Sequence, residues 1–200
     1  MAVARVRPAT EDDAGAVARI QHTVWTSAYA GLLPPGALEE FDHDAVSAAW
    51  RRAVTAEGPH GVWVATEGDE VVGFAAAGPA DPDDLTDATG AVPEDASEVA
   101  AVATLLVEPR WGRRGHGGRL LVEVAAALRV RGAVRAIAWV PERDTASRSF
   151  FARAAWEPDG TVRTLDAGGR PLREVRLAGP LDLEFRPEPS ADDLGLPLLS

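Results

Sequence analysis

A strand, a glycine-rich turn, a helix and a second strand follow one another between Glu98 and Val140, and this succession constrains the fold more than any other feature of the sequence. The run EVAAVATLLV, Glu98 to Val107, is apolar almost throughout, as a strand covered on both faces must be. Beyond the turn, Leu120, Leu121, Val124, Ala125 and Leu128 recur at helical spacing and give one apolar face. AVRAIAWV, Ala133 to Val140, is again short and apolar. Strand, crossover helix and returning strand make a β–α–β unit, so the chain must build a sheet with a helix on its face.

Shorter signals extend this sheet. VARVR, Val3 to Arg7, alternates like a half-buried strand. Thr10, with Asp13 three residues on, reads as the capped start of a helix over ATEDDAGAVARIQ. A second helical piece, VWTSAYAGLLPPGALEEF, is predicted from Val24 and broken at Pro34 and Pro35. Asp42 or Asp44 caps a third helix, on which Val46, Trp50 and Val54 share a face. His60 to Pro79 reads as a β-hairpin around a Gly-Asp turn, residues 79–97 as a loop rich in proline and aspartate, and Asp144 to Arg153 as a short helix. TVRTLDAGGRPLREVRLAG closes the chain as a hairpin turning at Gly168 and Gly169. The expected architecture is α/β (α+β): a single mixed, mostly antiparallel sheet of about seven strands flanked by helices, with one β–α–β crossover. A chain of 200 residues is short for two full domains, so one domain over residues 1–180 is expected. Residues 181–200, rich in proline and acids, read as a loosely ordered tail.

Composition removes several chemistries. With no cysteine there is no disulfide, no thiolate zinc ligand and no thiol nucleophile, which fits a reducing cytoplasm. All twenty basic residues are arginine, so a Walker A phosphate loop and Schiff-base cofactor chemistry, both of which need lysine, are excluded. His22, His43, His60 and His116 show no metal-ligand spacing, and no metal is expected. No G-x-S-x-G elbow occurs. No apolar run reaches the ~18 residues of a membrane span, and MAVARVRPATEDD lacks a signal-peptide core, so a cytoplasmic protein without a membrane partner is expected. The net charge of −11 opposes nucleic-acid binding; it suits a cationic partner, or simply keeps the chain soluble.

The turn itself, GRRGHGGR from Gly112 to Arg119, is the chemical signal. A strand that runs through glycines into a helix directs several backbone N–H groups and the positive end of the helix dipole at one spot, which is an anion site. Gly115, Gly117 and Gly118 admit a ligand to the backbone, and Arg113, Arg114 and Arg119 add charge suited to phosphate. A dinucleotide fingerprint is excluded, because Leu120 stands where its third glycine would be.

In spacing the stretch resembles the acetyl-CoA motif of the GNAT N-acetyltransferase superfamily, where a strand reading L-x-V-x-P leads into [QR]-x-x-G-x-[GA] and a leucine pair. Leu105, Val107, Pro109, Gly115, Gly117, Leu120 and Leu121 fall in register. The order of elements is similar as well, over about residues 3–179. The resemblance implies acetyl-CoA as co-substrate. The N–H groups of Arg113, Arg114, Gly115, His116, Gly117 and Gly118 would cradle its pyrophosphate, and the edge of Leu105, Leu106 and Val107 would hold pantetheine and the acetyl carbonyl. The sequence departs from the pattern twice. Gly112 replaces the motif's first Gln or Arg, and the downstream Asn, Tyr and Gly-Phe are represented by Asp144, Phe151 and Ala155-Trp156. Asp144 and Phe151 are thus expected beside the cofactor. That tyrosine is commonly assigned as the acid for the departing thiolate, and Phe151 has no proton to give. A thiol of pKa about 8.5 is a fair leaving group, so the loss costs less than the ~10²–10⁴-fold usual for acid–base catalysis.

The resemblance further implies direct attack of an acceptor amine on the thioester in a ternary complex. An amine of pKa near 10 needs a base. Glu98, at the entry to the long strand, is one candidate, with an exposed strand-entry acid as the alternative. Tyr29, the only tyrosine, lies in a segment resembling the acceptor-lining part of the family and is the second candidate; packing in the core is its alternative. Asp81 to Glu98 holds seven acids and no base, so the expected acceptor is a small-molecule or peptide amine of cationic character, the alternative being a solvated loop. A homodimer is compatible with all of this. A catalytically impaired acyl-CoA-binding or sensing protein on the same fold, and a binder of another phosphate ligand, stay open as functions.

Overall fold

The structure, a computed structural model, describes residues 3–31, 41–87, 89–167 and 170–183. Seven strands form one sheet: β1 (Ala4–Pro8), β2 (Gly61–Glu67), β3 (Glu70–Pro79), β4 (Val99–Val107), β5 (Arg135–Pro141), β6 (Glu157–Asp166) and β7 (Pro171–Pro180). Their spatial order is β1-β2-β3-β4-β5-β7-β6, and only the β4–β5 pair is parallel. The helices are α1 (Ala14–Ser27), α2 (His43–Thr55), α3 (Pro82–Leu85), α4 (His116–Val130) and α5 (Thr145–Arg153). The expected mixed, mostly antiparallel seven-stranded sheet is therefore present, with α4 as the crossover between β4 and β5.

Alternation along β2 explains how both faces are covered. Trp63 and Ala65 point to one side, where Leu120, Leu121, Val124 and Leu128 of α4 pack with Phe151 and Trp156. Val64 points to the other, where Val17, Ile20 and Val24 of α1 meet Phe74 and Leu106. Truncating one such leucine to alanine typically costs ~2–5 kcal/mol, so the α4 face alone fixes that helix on the sheet. Asp42 caps α2 through the N–H groups of Asp44 and Ala45, both at 3.0 Å. Asp13 accepts from the Thr10 N–H at 2.7 Å, as the capping pattern requires, and is gripped by Arg7 at 2.6 and 2.9 Å.

Two expectations are corrected here. Val24 to Ser27 do not begin a second helix but complete α1, and the Ala28 and Tyr29 N–H groups still bond the Val24 carbonyl at 2.8 and 3.2 Å. No glycine or proline interrupts Val17 to Ala28, so the ladder simply continues. The stretch 79–97 is not plain loop. Asp81 caps α3, and Asp87 folds a turn by accepting from the N–H groups of Thr89 and Ala91. The Pro34-Pro35 break, the Gly168-Gly169 turn and the tail beyond Leu183 lie outside the described residues.

Candidate active site

The parallel ladder between β4 and β5 is only three residues long, Val99–Ala101 against Arg135–Ile137. On their other flanks both strands go on: β4 pairs with β3 as far as Val107, and β5 pairs with β7 as far as Pro141. From Val102 onward the two strands therefore part, and the peptide groups of β4 up to Val107 have no ladder on that side. A register shift opposite Ala76 and Ala77 makes Ala103 an extra residue in β4, and such a bulge bends a strand and increases its twist. The opening is a cleft of about 500 Å³, walled by Leu105, Leu106 and Val107 on β4, by Val24 of α1 and Tyr29 just after it, and by Arg143 to Ser147 at the start of α5.

The same strand leads into the glycine turn. One 3₁₀ turn, Pro109–Trp111, is followed by Arg113 at φ 60° and Gly115 at φ 81°, a left-handed pair that swings the chain straight into α4. Gly115 is the N-cap and supplies no side-chain acceptor, so the first N–H groups of α4, on His116, Gly117 and Gly118, keep no capping partner. Arg119 folds back to bond the Arg114 carbonyl at 3.0 Å, and the Arg114 guanidinium lies 4.7 Å over the Trp111 ring. Uncapped donors, a helix dipole and fixed arginines make an anion cradle beyond the end of β4, and they fit the diphosphate of CoA. A Cβ at Gly117 would come within 3.3 Å of the Phe150 ring and 3.7 Å of Leu105, so the helix start rests directly on the cleft wall.

Glu108, between strand and turn, anchors this arrangement. Its buried carboxylate accepts from Arg19 at 2.7 Å and from Arg110 at 2.8 Å. Burial opposes its charge, but the two guanidiniums outweigh that and hold its pKa below the usual carboxylate range. His116 turns its ring inward and is 1% exposed. Its Nε2 is 3.3 Å from Glu67 without forming a hydrogen bond. Burial lowers its pKa more than Glu67 raises it, and Arg119 and Arg114 lower it further.

The structure gathers most of the residues singled out in the sequence. Leu105, Leu106, Val107, Tyr29 and Asp144 share the cleft, while Arg113, Arg114, Gly115, His116, Gly117 and Gly118 form the turn and helix start beside its Leu105 wall rather than its lining. Asp144 caps α5, accepting from the Ser147 N–H at 3.0 Å and its hydroxyl at 2.6 Å. The Tyr29 phenol faces that carboxylate; burial first, then the Asp144 charge, pushes its pKa well up. Phe151 lies in the core, its ring 5.2 Å from Phe150 and 5.0 Å from Trp156. Glu98 is not brought to the cleft. It ends the 3₁₀ turn before β4 and is exposed, and seven residues at about 3.3 Å each put it ~20 Å from Leu105, at the closed end of the parallel pair. The acidic stretch stays there with it: Asp84 binds Arg163 at 2.8 Å and Asp95 binds Arg135 at 2.6 Å. Sequence reasoning missed Glu108, Phe150 and Arg143. Glu108 sat unread at a variable position inside the motif, whereas nothing local marks the other two.

Solved structures with this fold include the PaiA N-acetyltransferase of Thermoplasma acidophilum in complex with coenzyme A (TM-score 0.66, 12% identity, covering 89% of this chain and 99% of that one). The putative acetyltransferase yncA of Salmonella typhimurium, with its cofactor acetyl-CoA, superposes at a TM-score of 0.63 (18% identity, 92% and 98% covered). The ribosomal-protein-alanine N-acetyltransferase of Brucella melitensis gives 0.64 (21% identity, 88% and 99%). No curated protein sequence matches the chain. The sequence profile of the acetyltransferase (GNAT) family matches residues 21–156. The chain belongs to that family.

Proposed function

We propose that the protein is an acetyl-CoA-dependent N-acetyltransferase in which an acceptor amine attacks the bound thioester directly. One observation carries the reading: the unpaired edge of β4 runs without interruption into an uncapped helix N-terminus, so one ligand can pair with a strand at its acyl end and offer a diphosphate to the helix at the other. Relatives of the same fold hold CoA or acetyl-CoA, and two are described as N-acetyltransferases, which supports the reading at the level of fold.

Each proposed step uses a residue of the cleft. The acetyl carbonyl accepts from β4 backbone N–H groups near Leu105, which also stabilise the oxyanion formed on attack. Asp144, a half-buried carboxylate held at the start of α5 by the Ser147 N–H and hydroxyl, takes the proton that the attacking amine must lose, directly or through water. The tetrahedral intermediate then collapses, the C–S bond breaks and the CoA thiolate departs. Tyr29 stays protonated because burial raises its pKa, so its O–H hydrogen-bonds the departing sulfur without giving up its proton, in place of the hydroxyl Phe151 lacks. The proton held by Asp144 passes to the thiolate, directly or through water. The competing reading, an impaired acyl-CoA binder, is favoured by the two departures from the family pattern, Phe151 and Asp144.

The test is a mass-spectrometric screen of amines with acetyl-CoA, run beside calorimetric titration with CoA. Acetylated product with release of free CoA is the expected result. Tight CoA binding with no product from any amine would establish the impaired binder instead.

A further inference from the structure

Beside the cleft lies a second cavity, of about 420 Å³, at the end of β5 and under the β6–β7 hairpin. Its walls include Gly31, Glu142, Arg143, Thr164, Arg170 and Arg173. Gly31 and Arg143 also line the cleft, so the two hollows adjoin. Three arginines meet one acid there. Glu142 is taken by Arg173 at 3.2 Å, while the guanidiniums of Arg143 and Arg170 have no acidic partner among the described residues. Asp166, opposite Pro171 in the hairpin ladder, is not a wall of the cavity.

Two guanidiniums with no acidic partner among the described residues, in a concave site, suit a planar oxyanion, which arginine binds through paired N–H donors. Arg143 directly precedes Asp144, whose carboxylate lies in the cleft. An anion held by Arg143 and a nucleophilic amine beside Asp144 are therefore within the span of one small molecule, and the volume suits one. Among the described walls of this cavity a cationic acceptor meets only Glu142, already taken by Arg173. The acids expected to steer it are at the far end of β4, where Asp84 and Asp95 are neutralised by Arg163 and Arg135.

We infer that the acceptor is a small amine that also carries a carboxylate, of the amino-acid class, with Arg143 and Arg170 binding the carboxylate while the amine meets the acetyl group. This rests on the acetyltransferase reading above and adds the substrate class. The acceptor is thereby a zwitterion with an anionic end to be held, rather than the plain cation the acidic sequence suggests.

The experiment uses matched pairs: free amino acids and the same compounds as carboxamides, each incubated with the full-length protein and acetyl-CoA, with N-acetyl product quantified by mass spectrometry. At least one free acid should show a kcat/KM tenfold or more above its carboxamide. Arg170→Gln and Arg143→Gln should each reduce that acid-to-amide ratio at least tenfold, mainly through KM. Both arginines are exposed, and circular dichroism checks that the variants fold. Carboxamides or neutral amines acetylated as well as the acids, or a ratio indifferent to both substitutions, overturn the inference and leave the acetyltransferase reading standing. No acetylation of any amine by protein that binds CoA overturns both.

Discussion

Removing the Glu108 carboxylate should loosen the junction between β4 and the anion cradle by a calculable amount. In Glu108→Ala the Arg19 guanidinium keeps its bond to the Val71 carbonyl, 3.0 Å away, but loses the 2.7 Å bond to Glu108. A hydrogen bond to a charged group contributes about 1.5–3 kcal/mol, and Arg19 is 39% exposed, which argues for the lower half of that range. Adding the lost packing of the buried side-chain stem gives a destabilisation of about 2–3 kcal/mol. For a domain of this size that is a fall in Tm of roughly 4–10 °C. The internal control is Glu70→Ala, which removes the exposed partner of Arg110 and should leave Tm within about 1–2 °C. Because the folded-state pKa of Glu108 is depressed, its contribution is complete above the unfolded value near 4.3 and is lost as pH falls below it. Thermal unfolding followed by circular dichroism at pH 7 and at pH 3.5 reads all three quantities. Equal Tm values for wild type and Glu108→Ala at pH 7, or a gap that fails to shrink at pH 3.5, would refute the reasoning.

Other expectations concern the cleft and the helix start beside it. Gly117→Val, whose Cβ starts 3.3 Å from Phe150 and whose γ-methyls go further, should weaken CoA binding at least tenfold in a protein that still folds; calorimetric titration measures it, and unchanged affinity would remove the cradle from the site. Tyr29→Phe should lower kcat at least tenfold through loss of the hydrogen bond to sulfur, and steady-state assays that show wild-type kcat would remove Tyr29 from thiolate stabilisation. His116 has a folded-state pKa below its unfolded value of about 6.5, so the native state binds fewer protons and stability should fall as pH drops from 7 to 5. His116→Leu should flatten that part of the Tm profile, and a parallel profile would show that His116 is not its source.

The sequence was most informative where local pattern and global position coincide. The apolar run of β4, the glycine turn and the face of α4 are contiguous, so their periodicity and spacing placed the anion cradle residue by residue. Periodicity reports which face a residue occupies but not which end of a strand carries the chemistry. Glu98 and Leu105 belong to one continuous run of sequence, yet Glu98 ends the turn before β4 and the opening between β4 and β5 comes only after Ala101, because β5 stays with β7 while β4 stays with β3. The acidic stretch looked like a field because its counter-charges, Arg135 and Arg163, are 40 and 79 positions away in the chain. Tyr29 and Asp144 meet for the same kind of reason: the fold joins distant segments that no local signal connects.

The gap between β4 and β5 also bears on how this protein avoids sticking to itself. Unpaired strand edges invite strands from other molecules, and a chain that needs such an edge for a ligand carries that hazard permanently. Here the needed edge is inside the sheet, flanked by β5 and floored by helices, where a narrow extended ligand can enter but a second protein's sheet cannot approach. The two outer borders are blunted in ordinary ways. β1 is five residues long, carries Arg5 and Arg7 and ends in Pro8. β6 opens with Glu157, Pro158 and Asp159 and breaks register with its neighbour between Pro158 and Val162. Adhesiveness is thus confined to the one place where a small molecule can use it, and a change that let β5 swing away from β4 would turn a binding site into a point of aggregation.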